Sequence, residues 1–466
     1  GTFTVTGLST LSGLAYPTAD GSNGQVLQTN GSGTLSFATV SSGPAFKTFG
    51  TSSIMIGDTT TGTINAADYN TGLGVDVFAA LTEGDANTAI GFAAGTAITT
   101  GIRNSLLGYN AGVAITTGTQ NTFVGKDAGA ANTTASSNTF IGERSGLANT
   151  TGDQSVAVGQ FSLANNTTGT SNVAIGRSAL SLNTTAGYQT AVGYGSLTTV
   201  NGGLENSALG ANSLGLTTTG SYNTAIGTNA LYANTTASYN TAVGHGALDA
   251  NTTGAYNTAV GNLALGANTT ASFNTAIGRN ALGANTTGYD NTSVGLNSML
   301  NSTTAITSSA FGVDALYKLT TGSGGTNEGF GYRAGRSITT GYANSVFGSY
   351  AMDNSTATGY GNTVVGHGAA RQLSGAFGCT LVGSAAGAAL TTGVANTTLG
   401  YGAGHNQTTG AANTFIGYNA RGSATSTSYA ITMGYDTVSA GDYFTTLGTG
   451  SGANRVYNQF SSNASW

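Results

Sequence analysis

One phrase of the sequence returns at a fixed interval, and that interval limits what the chain can fold into. Cores of the type Asn-Thr-Ala-Ile/Val-Gly, some with substitutions, begin at residues 87, 104, 121, 138, 206, 223, 240, 257, 274 and 291, and every gap is a multiple of seventeen. Degenerate copies fill the register: SVAVG at 155, NVAIG at 172, QTAVG at 189 and SSAFG at 308, with SIMIG at 53 and NTGLG at 70 upstream. The metre is disturbed around TTGSGGTNEGFGYRAG, resumes with NSVFG at 344 and NTVVG at 362, then runs on through CTLVG, NTTLG and NTFIG. Degenerate copies included, about 23 units cover residues 53–434, which is the signature of stacked units that bury a core only against their neighbours.

A seventeen-residue unit this poor in Leu, Glu, Lys and Arg does not read as helix. It reads as two short strands, TAIG and ALxAN, with the glycine at the fifth position supplying a positive-φ corner and NTTG the second turn. The predicted fold is therefore all-β, a parallel β-solenoid or β-roll about 110 Å long at roughly 4.8 Å per coil. We number coil positions from the Asn of the core. Strand alternation puts position 2 (Thr88, Val156, Val173, Thr224) and position 4 (Ile90, Val158, Ile175, Ile226) on one side, and the alanines of position 3 (Ala89, Ala174, Ala225) on the other. On this reading the branched residues form a thin core with Leu180, Leu231, Leu248, Leu265 and Leu282. Several chains then associate along the alanine face, and the expected assembly is an elongated homotrimer. The expected organisation is a connector at 1–50, a regular array at 51–320, an interruption at 321–343, a second array at 344–434 and a C-terminal segment at 435–466.

Composition narrows the function. Only 6% of residues are charged, 75 are glycine, and just two prolines occur, which excludes a Gly-X-Y triple helix and a polyproline rod. Twelve Lys and Arg against seventeen Asp and Glu, with no basic run, argue against nucleic acid as a partner. No run of eighteen apolar residues and no signal-peptide pattern is present, so no membrane partner is expected. The single cysteine, Cys379, excludes an intrachain disulfide framework and reads as a small buried hydrophobe.

Two asparagine rows stand out. One runs along position 1 (Asn87, Asn104, Asn121, Asn138, Asn223, Asn240, Asn257, Asn274) and one along position 12 (Asn132, Asn149, Asn166, Asn183, Asn234, Asn251, Asn268, Asn285). Amides stacked from coil to coil explain both; the NTT sequons follow from the repeat itself. Tyr188, Tyr222, Tyr239, Tyr256 and Phe273 occupy the residue before each core and predict an aromatic file along one edge. Such a file could stack on sugar rings, although mutual packing at a corner is the plainer account. The threonine rows also allow a flat hydroxyl array of the kind found on ice-binding solenoids. His245, His367 and His405 lie at no ligand spacing with acids or cysteine, so neither metal nor cofactor is expected. Glu83 and Asp85 could share one side of a strand, but the seventeen acids form no convincing pair for glycoside hydrolysis, and no catalytic residue is assigned.

SVAVG (155–159) and NVAIG (172–176) resemble the repeats of trimeric autotransporter adhesin heads, which are left-handed parallel β-rolls of three chains; here the unit is longer than is usual in that family. The ends are similar to another family. YPTADGSNGQVLQTNGSGTLSF (16–37) resembles short modules of tailed-bacteriophage tail fibres, and GSGANRVYNQFSSNASW (450–466) resembles the segment ahead of their self-cleaving endosialidase-type chaperone, whose catalytic residues lie outside this sequence. The resemblance implies an extracellular virion tail fibre: a homotrimer joined to other tail proteins on its N-terminal side, adhering to a bacterial surface receptor, expected to be a glycan, without turnover. It makes the C-terminal aromatics Tyr429, Tyr435, Tyr443, Phe444, Tyr457, Phe460 and Trp466 the receptor-contact candidates, with trimer packing as their alternative role. A cell-surface trimeric adhesin or filament, and a polysaccharide-degrading tailspike, are the competing readings.

Overall fold

The computed structural model describes residues 9–11, 14–17, 22, 25–39, 46–49, 53–57, 66–321, 326–354, 356–450 and 455–459. The chain is all-β, and its body is a parallel β-solenoid. From Ser53–Gly57 to Phe444–Gly448 each strand pairs in parallel with the next. The usual register is one repeat, as in Thr224↔Thr241, Ala225↔Ala242 and Ile226↔Val243. Phe46–Phe49 pairs antiparallel with the first of these strands and Arg455–Gln459 with the last. Near the N-terminus, Ser9–Leu11 with Leu14–Tyr16 and Gln25–Thr29 with Leu35–Thr39 form two separate hairpins.

Position 5 shows why the repeat needs its glycine. Gly227 has φ 129°, and a Cβ there would sit 2.6 Å from the carbonyl oxygen of Gly244 in the next coil. Any side chain would push two coils apart. The corner is held from both directions: the Gly227 amide donates to Leu209 O of the previous coil at 2.7 Å, and the Thr224 amide donates to Asn240 O of the next at 2.9 Å.

Two expectations are corrected. The faces of the strand are reversed: Ala89, Ala174 and Ala225 are fully buried inside their own coil, while positions 2 and 4 point outward. The alanine face is therefore closed within one chain and offers no route for association. The physical reason lies across the coil. Leu180, Leu231, Leu248, Leu265 and Leu282 at position 9 are fully buried and fill the narrow interior, so only a small residue fits beside them at position 3.

The second expected strand, ALxAN, is a run of turns instead. Asn229 and Leu231 lie at φ 57° and 52°, and the same left-handed geometry recurs at Ser178 and Leu180 and at Asn280 and Leu282. Each such residue costs on the order of 1 kcal/mol in backbone strain. The geometry alternates the direction of the amides: Asn229 N–H reaches back to Ala211 O, and Leu231 N–H reaches forward to Ala247 O. Every coil is thereby bonded to both neighbours, at about 1 kcal/mol per hydrogen bond.

The segment 321–343 contributes a coil to the same ladder. Asn327–Phe330 pairs with Ser309–Phe311 through a nineteen-residue step, and the following coil is closed by an eighteen-residue one. The extra residues leave the strand stack in register.

Candidate functional site

The outward strand face is the most extensive candidate surface. Position 4 carries Ile, Leu, Val, Phe or Met in each of the 24 coils among the described residues, from Ile56 to Leu447, with no charge and no gap. Leu107, Leu209 and Leu399 are about half exposed, at 48%, 50% and 50%. Beside them runs position 2, mostly Thr or Ser, including an unbroken file from Thr224 to Thr292. The stripe bares apolar surface on the order of 1,000 Å², well above the few hundred Å² that a monomeric soluble protein ordinarily leaves uncovered.

Aromatic files follow the stripe on either side in chain order. At position 17, Tyr222, Tyr239, Tyr256 and Phe273 stack ring on ring at 5.1, 4.9 and 5.2 Å. All four have φ near 60°, so the coil holds bulky aromatics in the left-handed region at the corner before each strand. Tyr188 shares that backbone and is exposed. At position 6, Tyr401, Tyr418 and Tyr435 stack at 5.2 and 4.9 Å. This second file went unread in the sequence because position 6 varies from coil to coil.

The C-terminal candidates divide between these files. Tyr435 ends the position-6 stack, whereas Tyr429 stacks with Tyr443 at 4.9 Å in a separate pair. Phe444 is half-buried at the start of its strand. Tyr457 lies in the antiparallel end strand, paired with Thr446. Phe460 and Trp466 fall outside the described residues.

The asparagine rows are buried. At position 1, Asn240 Nδ2 donates to Gly254 O at 2.9 Å, and its Oδ1 accepts the Asn257 backbone amide at 2.9 Å. At position 12 the amides bond one another: Asn251 Nδ2 to Asn234 Oδ1 at 3.2 Å, and Asn268 Nδ2 to Asn251 Oδ1 at 2.8 Å. Both rows converge on the carbonyl at position 15, as when Asn172 and Asn183 both donate to Ala186 O at 3.0 Å. The sequon asparagines of NTT belong to this interior and leave no room for a glycan in the folded coil. Asn132 stands apart, with neither amide atom hydrogen-bonded.

Among the described residues, the acids and histidines singled out from the sequence are engaged separately. Glu83 is exposed in a turn, and Asp85 is engaged in accepting the Asp68 backbone amide at 2.7 Å. His245 contacts Asn262, and His405 Nδ1 lies 2.7 Å from Gly402 O. Among the described residues no group of three His, Cys, Asp or Glu is placed to hold a metal ion. Cys379 takes the position-1 site in its coil, its thiol 3.4 Å from Gly393 O; burial pushes the thiol above its ordinary pKa, partly offset by hydrogen bonding with Asn396. No helix among the described residues is long and apolar enough to cross a membrane. No known protein family matches the sequence, and no curated protein matches it.

Proposed function

We propose that this chain forms the shaft of an extracellular adhesive fibre of the tailed-bacteriophage tail-fibre type, assembled as a homotrimer and attaching to a bacterial surface glycan. The observation that carries this reading is the uninterrupted outward stripe of position 4, from Ile56 to Leu447. A rod about 110 Å long with one apolar stripe along its length gives copies of the chain a surface comparable to the roughly 800 Å² per partner of a standard specific interface. Association along this stripe replaces association along the buried alanines. Outside it, hydroxyls, amides and tyrosine rings suit sugar recognition, in which ring stacking and neutral hydrogen bonds dominate. The fibre works by adhesion without chemical turnover.

Light scattering tests the assembly. A particle of three times the 45.8 kDa chain mass is expected, and it should dissociate when Ile226, Val243 and Val260 are replaced together by Asp. A folded monomer would overturn the fibre reading. It would favour a second one, supported by the regular Thr224–Thr292 file beside β-branched neighbours: an array that orders water at an ice surface. Thermal hysteresis would then be the decisive assay. Sedimentation with whole bacteria, compared with cells stripped of surface polysaccharide, tests the glycan partner.

A further inference from the structure

The variable residues at positions 7 and 10 line a groove on the turn side of the coils, and its charge changes where the repeat spacing changes. Between coils 308 and 362, position 7 of one coil faces position 10 of the next. Asp314 meets Arg336 at 3.7 Å, and Arg333 meets the buried Asp353 at 3.1 Å. In the third such pair position 7 is Tyr350, so Arg371 at position 10 faces a phenol where the earlier pairs oppose a carboxylate to a cation. No ion pair engages the exposed Arg371 among the described residues. Four of the chain's twelve Lys and Arg (Lys318, Arg333, Arg336, Arg371) are gathered here against two aspartates, in a chain of net charge −5. Both aspartates are already engaged.

The surface at this point is concave. Arg333, Tyr350, His367, Gly368 and Arg371 line an open hollow of about 400 Å³. It opens because position 7 is glycine in coil 362: a Cβ on Gly368 would meet nothing within 4 Å. The Arg333 guanidinium lies 5.5 Å from the Tyr350 ring centre, and the His367 ring meets Tyr350 edge-on at 5.7 Å. The hollow therefore offers an uncommitted guanidinium beside a tyrosine and a histidine ring on a stack of hydrogen-bonded coils. A guanidinium binds a carboxylate through paired charged hydrogen bonds, and an aromatic face packs against the C–H face of a pyranose.

We propose that this hollow binds a carboxylated sugar residue, a uronic or nonulosonic acid unit of an acidic surface polysaccharide, with Arg371 on the carboxylate and Tyr350 against the ring. This rests on the glycan-adhesion reading and names the sugar class. A second concavity on that flank, about 410 Å³ beside Gly266 and Gly283, is apolar and uncharged, and it supplies an internal control.

Isothermal titration of the full chain with tri-galacturonic acid and with N-acetylneuraminic acid tests the site, with maltotriose and sodium acetate as neutral-sugar and charge-only controls. Saturable binding of one acidic sugar is expected. R371A should weaken it at least about tenfold, the loss of one charge-assisted contact, and Y350A by roughly three- to tenfold, the loss of ring packing, while L263A beside the apolar hollow leaves it unchanged. No saturable binding, equal binding by R371A, or full competition by acetate would each overturn the proposal. Failure of the site is separable from failure of the adhesion reading. If wild type and R371A both sediment with bacteria, the site fails alone; if neither sediments with any polysaccharide-bearing cell, adhesion fails as well.

Discussion

Coils 121 and 138 and coils 223 to 274 share one backbone yet fill it in opposite ways. In the first pair, position 3 is Phe123 or Phe140 and position 9 is Gly129 or Gly146; the two rings stack at 4.9 Å. A Cβ on Gly129 would lie 2.3 Å from Phe123, and one on Gly146 would lie 2.4 Å from Phe140. In the later coils position 3 is alanine and position 9 is leucine: Ala225 with Leu231, Ala242 with Leu248, Ala259 with Leu265. Core volume has moved from the strand to the turn run without changing the period. The repeat is thus set by features common to both regions, the position-5 glycine and the position-1 amide, and the apolar filling has only to conserve its sum.

Putting both large residues in one coil should have the largest effect. Gly129→Leu should destabilise by about 3 kcal/mol through overpacking, and Phe123→Ala by about 3 to 5 kcal/mol through the cavity it leaves. The double variant should return to within about 1.5 kcal/mol of the parent, because it conserves volume. Leu231 already occupies the left-handed backbone that a leucine at 129 would adopt. Denaturant unfolding of the four proteins gives the coupling directly. Purely additive losses would mean that the two fillings are not interchangeable.

A smaller effect separates the regions along the position-12 row. Asn132 follows Ile98 and Ile115 at that position and its side-chain amide has no hydrogen-bond partner, so Asn132→Ile should be neutral or stabilise by about 1 kcal/mol. Asn251→Ile removes bonds to Asn234, Gly254 and Asn268 and should cost about 2 kcal/mol or more. Equal effects at the two sites, read as midpoint shifts in thermal melts, would contradict the hydrogen-bond pattern.

The smallest effect is at Cys379, where a thiol replaces the ladder amide. Burial raises its pKa above the ordinary 9.0, so the native protein should resist iodoacetamide at pH 8 while the unfolded chain reacts. The thiol's contribution to stability is whole below pH 9.0 and declines above it, as the unfolded thiol ionises first. Mass spectrometry of native and urea-unfolded samples checks the reactivity.

The period, the glycine corner and the inward leucines could be read from sequence, because each rests on a local requirement repeated many times. Which side of the strand faces inward could not. Alternation assigns Ile226 and Ala225 to opposite sides but does not say which is inside, and the habit of placing the larger apolar residue in the core chooses wrongly here. The deciding fact is the width of the coil, a tertiary quantity carried by Leu231 across the turn run. The left-handed tyrosines and leucines were hidden for a related reason. Intrinsic preference argues against them, and inter-coil hydrogen bonding overrides it. The hollow at Tyr350 and Arg371 depends on which position 7 meets which position 10 across shifted spacings, so proximity in sequence gave no cue to it.

Across the eighteen- and nineteen-residue steps the strands on either side stay paired. Length and thickness are therefore inherited separately. An in-frame duplication or loss of one unit changes reach by about 4.8 Å and leaves every lateral contact in phase. Substitutions at positions 7 and 10 instead alter the relief of one flank. A lineage carrying this rod can adjust how far it extends and what it touches by independent genetic steps, neither of which requires the core to be redesigned.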